Sequence, residues 1–112
     1  MANSLRNLGD LHGIGKSMLK DFELLGVKSV SDLARRDGDQ LFLELETKTK
    51  TRQDPCVLDV FRCAIAQAND AQLSREQSNW WWWSRERVAG RLPGRPTLPE
   101  SPQSPQRPYR KT

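Results

Sequence analysis

The chain has 112 residues, one histidine, two cysteines and a formal net charge of +4. A chain this short rarely encloses a deep catalytic cleft, and its histidine and cysteines form no acid–base or metal-ligand pattern, so we expect neither an enzyme nor a metal site. Free thiols suit a reducing compartment and no stretch approaches the ~20 apolar residues of a membrane span, so we expect a cytoplasmic protein without membrane contact.

The apolar residues recur three or four positions apart, which is the spacing of helices, and no segment alternates with the period of a strand. This spacing predicts a first helix over residues 5–11, capped by Ser4. It predicts a second helix over residues 16–25. Gly26 ends that helix, because glycine readily adopts the left-handed conformation found after a helix C-terminus.

Capping patterns mark the starts of the next two helices. Ser29 and Asp32 stand three positions apart, as in a capping box, and start a brief third helix that ends near Asp37. Asp37 itself precedes a second apolar-periodic segment and has Gln40 at the matching third position. A fourth helix is therefore expected to begin directly after Asp37.

A polar run over residues 47–53 reads as a loop before the last predicted helix. Asp54 followed by Pro55 is a strong start signal, because aspartate caps a helix and proline fits its first position. The fifth helix, over residues 55–69, has a broad apolar face and is the expected spine of the core. The predicted fold is all-α, a compact bundle of about five short helices.

The C-terminal quarter has a different composition. Residues 84–112 carry seven basic and two acidic residues, a net charge of +5, whereas residues 1–83 carry eleven basic and twelve acidic residues, a net charge of −1. Six prolines from Pro93 to Pro108 fall at every third residue, the period of polyproline II. We predict an ordered domain over residues 1–85 and a disordered, basic, proline-rich tail over residues 86–112.

The segment between the first two predicted helices, Gly13-Ile14-Gly15-Lys16, is the clearest functional signal; we call residues 13–16 the glycine turn. Its glycines can adopt backbone angles denied to other residues and leave the main chain uncovered. The amides at the start of the second helix then face outward, where the helix dipole favours an anion. Lys16 adds a cation and Ser17 a hydroxyl donor. Such a site suits a backbone phosphate.

This pattern, followed by an amphipathic helix, resembles the helix-hairpin-helix motif. The resemblance implies DNA binding through the hairpin backbone, independent of sequence, with a monovalent cation held by hairpin carbonyls in some members and no other cofactor. Leu19 departs from the small residue usual at its position, and His12 from the usual proline. Both departures predict a slightly splayed hairpin.

A wider resemblance covers residues 5 to about 83. It is to small bacterial helix-hairpin-helix proteins of the "pathogenicity locus" family, some of them labelled mitomycin resistance, and the layout is also similar to the C-terminal domain of TfoX-type competence regulators. The matching segments are residues 13–17, 26–30, 56–58 and 60–64 and the four consecutive tryptophans. The resemblance implies a SAM-like, tandem helix-hairpin-helix architecture.

The second hairpin of that architecture is degenerate, because residues 47–52 contain no glycine. This segment instead alternates hydroxyls with three cations, Lys48, Lys50 and Arg52, ahead of the fifth helix. One hypothesis is a second phosphate contact at these cations. The alternative is a solvated loop, because runs of charge usually face water.

Four consecutive tryptophans, Trp80–Trp83, form what we call the tryptophan cluster. In a helix Trp80 and Trp83 would share a face, so at least one ring of the cluster is expected to stay partly exposed. One interpretation is a lid over the second and fifth predicted helices. The others are a platform for stacked bases of a single strand or an anchor for a protein partner.

The function expected from these features is non-catalytic, sequence-independent DNA binding by residues 13–17, with a further contribution from Lys48, Lys50 and Arg52. The alternative is a protein–protein interaction adapter that uses the same scaffold and the tryptophan cluster. The near-neutral charge of residues 1–83 favours the adapter, whereas the intact glycine turn favours DNA.

Overall fold

The computed structural model describes residues 6–96, which form an all-helical bundle with no strand among them. A single 3-10 turn, Leu8–Asp10, precedes the first helix. The five α-helices of this region are α1 (Lys16–Leu24), α2 (Val30–Ala34), α3 (Gly38–Thr49), α4 (Pro55–Asn69) and α5 (Trp80–Val88). None of these helices is long and apolar enough to cross a bilayer.

Helix α4 is the centre of the bundle and packs against α2, α3 and α5. Its apolar face buries Leu58 and Phe61 completely, and the Phe61 ring lies 5.9 Å from that of Phe22 on α1. Helix α3 contributes Leu41, Phe42 and Leu45 to the same core. The expectation that the helix over residues 55–69 forms the spine of the core is confirmed.

The predicted capping residues account for the helix boundaries in the middle of the chain. The side chains of Ser29, Asp37 and Asp54 accept hydrogen bonds from the amides of Asp32, Gln40 and Cys56, respectively. Gly26 adopts a φ of +77° directly after α1, and the amide of Val27 bonds back to the carbonyl of Phe22 at 2.8 Å. These local interactions set the starts of α2, α3 and α4 and the end of α1 within one residue of the predicted positions. The predicted end of the third helix near Asp37 is wrong, because α2 ends at Ala34.

The predicted first helix is wrong over the described residues, because only the 3-10 turn forms there. Asn7 starts this turn, and its amide donates to the Asp10 carboxylate at 2.8 Å. Gly9 has a low helix propensity, and Leu11 is already extended, with a ψ of 144°. The turn therefore ends before a second helical turn can form; Ser4 and Leu5 lie outside the described residues.

The predicted loop over residues 47–53 is wrong in its first part, because α3 continues to Thr49. No glycine or proline interrupts this segment, and the hydroxyls of Thr47 and Thr49 donate to carbonyls four residues back. Lys50 ends the helix with a φ of +55°, so a lysine takes the left-handed position that glycine usually fills.

Ordered structure continues beyond residue 85. Helix α5 runs to Val88, and Arg87 makes a bidentate ion pair with the fully buried Asp59 of α4, at 2.9 Å for each bond. Residues 86–96, assigned by composition to the disordered tail, therefore pack on the bundle. The rest of that predicted tail, residues 97–112, lies outside the described residues.

The segment over residues 91–96, which we call the strap, crosses the side of the bundle formed by α3 and α4. Arg62 of α4 donates to the carbonyl of Pro93 at 2.8 Å. Arg95 pairs with Glu46 of α3, bonds to the carbonyl of Gln53 and lies over the Phe42 ring, 5.0 Å from its centroid. The strap thus contacts α3, α4 and the loop between them, and Arg95 covers one face of the Phe42 ring.

Candidate functional site

The glycine turn lies at the surface, with one side chain pinned into the core. Ile14 is buried against the bundle, whereas Gly13, Gly15 and Lys16 are exposed. Gly13 has a φ of +84°, which strains any other residue. Gly15 is extended, and a side-chain carbon built on it meets nothing within 4 Å. The two glycines therefore differ: the first is required by the backbone, and the second leaves the surface open.

A buried glutamine of α4 holds this turn in place. The Gln67 side chain is 5% exposed; its Oε1 accepts from the amide of His12 at 2.9 Å, and its Nε2 donates to the carbonyl of His12 at 3.0 Å. Arg6 adds a bond of 2.9 Å to the carbonyl of Gln67. The residue before the glycine turn is thus fixed to the core through its own main chain.

Sequence reasoning missed Gln67, although a signal was present. Gln67 lies three residues after Ala64 and four after Cys63, two buried residues on the inward face of α4. A polar side chain on a buried face must find partners, and the main chain of an adjoining turn is the usual one. The same argument points to Asp59, the other buried polar residue of this helix.

The N-terminus of α1 has no side-chain cap. Gly15 occupies the cap position, whereas α2, α3 and α4 each begin with a capping serine or aspartate. Within residues 6–96, the amides of Lys16, Ser17 and Met18 have no acceptor. No acidic residue lies in the first turn. This end of the helix therefore presents three free donors and the positive end of the helix dipole.

Two exposed lysines stand beside these donors. Lys16 begins α1, and Lys20 follows one turn later on the same side of the helix. Neither forms an ion pair with any residue in the described part of the chain. Of the residues predicted for phosphate binding, four are exposed together at one end of α1 and Ile14 is buried beneath them; the four are Gly13, Gly15, Lys16 and Ser17.

The other three predicted site residues lie elsewhere. Lys48 is in the last turn of α3 and lines an open groove of about 470 Å³ along that helix, while Lys50 and Arg52 are exposed after it. Glu46 fixes this loop by accepting from the amide of Gln53 at 2.8 Å. No hydrogen bond or ion pair over residues 6–96 joins the three cations to the glycine turn.

The tryptophan cluster forms the first turn of α5, a helix that packs on α4. Trp83 is half-buried, and its Nε1 donates to the carbonyl of Gln77 at 2.8 Å; Trp82 meets it edge to face, with ring centroids 5.1 Å apart. Trp80 and Trp81 are 38% and 46% exposed. The cluster therefore has two half-buried rings, Trp82 and Trp83, and two rings at the surface.

Trp80 adjoins the glycine turn, because its Cδ1 lies 4.0 Å from the position of a side-chain carbon built on Gly13. Trp81 lies under the guanidinium of Arg85, which is 5.2 Å from its ring centroid. Asn79, before α5, makes no side-chain cap either. The uncapped starts of α1 and α5 thus lie on the same part of the surface.

Among residues 6–96 no three His, Cys, Asp or Glu side chains gather in a way that could hold a metal ion. The surface described above therefore consists of main-chain amides, lysines and tryptophans. Such groups bind by hydrogen bonding, charge and stacking.

Comparisons with known proteins place the chain in a family. The profile of a family described as "pathogenicity locus" matches residues 1–89. The chain is also 30% identical over 81 residues to a protein named mitomycin resistance protein McrB from Streptomyces lavendulae, and the alignment covers 72% of this chain and 73% of that protein. No solved structure matches the chain. The match over residues 1–89 takes in the glycine turn, the bundle and α5, and the chain belongs to the pathogenicity locus family.

Proposed function

We propose that this protein is a non-catalytic DNA-binding module whose glycine turn contacts backbone phosphate without reading base sequence, as the hairpin of a helix-hairpin-helix motif does. The observation that carries the proposal is the set of three free amides at the start of α1, on Lys16, Ser17 and Met18. Donors aimed outward at a positive helix end suit a phosphate oxygen, and they carry no information about bases.

The fixed position of the turn also supports this function. Gln67 bonds to the main chain of His12 and Ile14 is buried in the core, so we expect the turn to need little reordering when an anion arrives. The open space at Gly15 lets a sugar-phosphate chain approach the backbone closely. Lys16 supplies a charge beside these donors. We expect modest affinity, because residues 1–83 carry a net charge of −1.

A second phosphate contact is proposed at Lys48, Lys50 and Arg52. All three side chains are exposed and have no ion-pair partner within the described residues. The main chain of their loop is fixed at Gln53, whose amide donates to Glu46 and whose carbonyl accepts from Arg95 of the strap. A basic segment on a fixed loop loses less conformational entropy on binding than a mobile one.

The test is binding of the full chain to fluorescently labelled DNA over a range of salt concentrations. A side-chain carbon built on Gly15 meets nothing within 4 Å, so Gly15→Val is expected to keep the fold while it blocks the approach to the amides. Lys16→Glu reverses the adjacent charge. It is expected to reduce the magnitude of the slope of log affinity against log salt concentration by about one or more.

Matched controls are available on the same chain. Gly94 also has open space around it, and Lys28 is exposed without an ion pair among residues 6–96, so Gly94→Val and Lys28→Glu repeat both changes away from the turn. Binding that is lost in the turn variants and kept in the controls supports the proposal. Unchanged binding in both turn variants would reject the proposal.

A protein–protein adapter is the second candidate function. The observation in its favour is a set of exposed large apolar side chains, Leu19, Leu24, Trp80, Trp81 and Val88. Exposed tryptophans are frequent anchors in protein interfaces. Absence of DNA binding at low salt would favour this candidate over the first.

A further inference from the structure

The exposed ring of Trp80 lies beside the glycine turn, and this position points to the form of DNA that the turn accepts. Its Cδ1 is 4.0 Å from where a side-chain carbon on Gly13 would lie, which is ordinary van der Waals contact. The ring is 38% exposed. The exposed ring and the glycine turn therefore lie side by side on one patch of the protein.

The other tryptophans of the cluster have partners within the protein. Trp83 donates a hydrogen bond to the carbonyl of Gln77, and Trp82 packs edge to face on Trp83. Trp81 is covered on one face by Arg85. Among residues 6–96 the ring of Trp80 has neither a hydrogen-bond acceptor nor a stacked partner. Trp80 is therefore the ring of this cluster that is open for an incoming planar group.

The charged side chains near the glycine turn indicate which kind of ligand suits the Trp80 ring. Lys16 lies three residues after Gly13, and Lys20 one helical turn beyond it, both exposed and without ion pairs in the described region. A ligand that contacts both Trp80 and these lysines has to combine a flat aromatic group with negative charge. An unpaired nucleotide of DNA has this combination, because its base can stack while its phosphate meets the cations.

We infer that Trp80 stacks against an unpaired base, so that the preferred ligand of the glycine turn is single-stranded DNA or DNA with an unpaired nucleotide rather than a continuous duplex. The inference rests on the proposed function, since the phosphate contact brings the strand to the ring. In a continuous duplex both faces of each internal base are already stacked, so only the phosphate contact remains away from the duplex ends.

The experiment compares an oligothymidylate with a blunt duplex of equal length, using the full chain and its Trp80→Leu, Trp80→Phe and Trp81→Leu variants. Trp80→Leu is expected to weaken oligothymidylate binding by about five-fold or more and to leave duplex binding unchanged. Trp80→Phe retains a flat ring and is expected to recover most of the loss. Trp81→Leu removes another exposed tryptophan of the same helix and is expected to change neither affinity.

Two results overturn the inference: equal affinity of the native chain for both ligands, or equal effects of Trp80→Leu and Trp81→Leu. If Gly15→Val still abolishes binding in that case, phosphate binding by the turn stands and stacking alone is rejected. If neither ligand binds at low salt, both proposals fail. Circular dichroism and the Trp80→Phe variant separate loss of stacking from loss of fold.

Discussion

The side chain of Gln67 makes two hydrogen bonds to the main chain of a single residue, His12, at 2.9 and 3.0 Å. Because Gln67 belongs to the central helix and His12 directly precedes Gly13, this pair fixes the glycine turn to the core. The position of the exposed turn is therefore set by its bonds to α4.

Replacing Gln67 with leucine is expected to lower the free energy of unfolding by about 2 kcal/mol, because the amide and the carbonyl of His12 both lose their partner. Urea denaturation measures the loss. Gln72→Leu is the control, since that side chain is exposed. A loss in Gln67→Leu no larger than that in Gln72→Leu would contradict the role given to this pair.

The ion pair between Asp59 and Arg87 predicts where the folded unit ends. Asp59 is completely buried, so Arg87→Met leaves a buried charge without its partner and is expected to cost about 3 kcal/mol of folding stability. A chain ending at residue 85 loses the same arginine, whereas one ending at residue 96 keeps it. Thermal denaturation should rank residues 1–85 well below residues 1–96.

Arg91→Met is the matched control for that prediction. Arg91 pairs with Glu86 at 2.5 Å, but its side chain is 62% exposed, and pairs of this kind contribute about 0–1 kcal/mol. Equal stability of the two truncated chains, or equal effects of the two methionine variants, would show that Arg87 does not hold α5 on the bundle.

Burial raises the pKa of the Cys63 thiol from its ordinary value of 9.0 to about 11. The raised value means that this thiol favours folding below pH 9.0 and that the contribution is lost as the pH rises toward about 11. At pH 8, iodoacetamide is expected to leave Cys63 unmodified in the folded protein and to modify it after urea unfolding. Mass spectrometry measures the extent of modification of each cysteine.

Cys56 provides the comparison for this labelling. It is half-buried, and the Asp54 carboxylate raises the pKa of its thiol, so its labelling is slow but measurable. A Cys56→Ser variant isolates the signal of Cys63. Modification of Cys63 in that folded variant at the rate of a free thiol would show that the α4–α5 interface opens readily.

The three cations after α3 predict a change in the salt dependence of DNA binding. Replacing Lys48, Lys50 and Arg52 together with alanine is expected to lower the salt slope by about one for every phosphate that the loop no longer neutralises. The double variant Lys28→Ala and Arg75→Ala removes exposed charges elsewhere and is the control. An unchanged slope in the triple variant would show that these three side chains face solvent and contact no phosphate.

Sequence reasoning succeeded where the structure is set by local interactions. The starts of α2, α3 and α4 follow from Ser29, Asp37 and Asp54, because a cap bonds to amides two or three residues away. Gly26 ends α1 for an equally local reason. Family membership was also predicted correctly, from residues spread along the first three quarters of the chain.

The C-terminal part was not predictable in this way, because distant contacts hold it. Four consecutive tryptophans give no amphipathic spacing, so the extent of α5 was not recognised. By composition, Arg87 and Arg95 belong to the basic tail. In the structure they pair with Asp59 and Glu46, which lie 28 and 49 residues away in sequence. At the site, residues 13–17 were chosen from local pattern, but Gln67, 55 residues from His12, was missed.

The proposed binding of DNA phosphate by the amides at the start of α1 is tested most directly by amide NMR of the full chain titrated with short DNA. We expect the signals of Lys16, Ser17 and Met18 to shift first and saturably, and Gly15→Val to abolish these shifts. Signals that stay fixed at these three residues while others in the protein shift would contradict phosphate binding at this helix end.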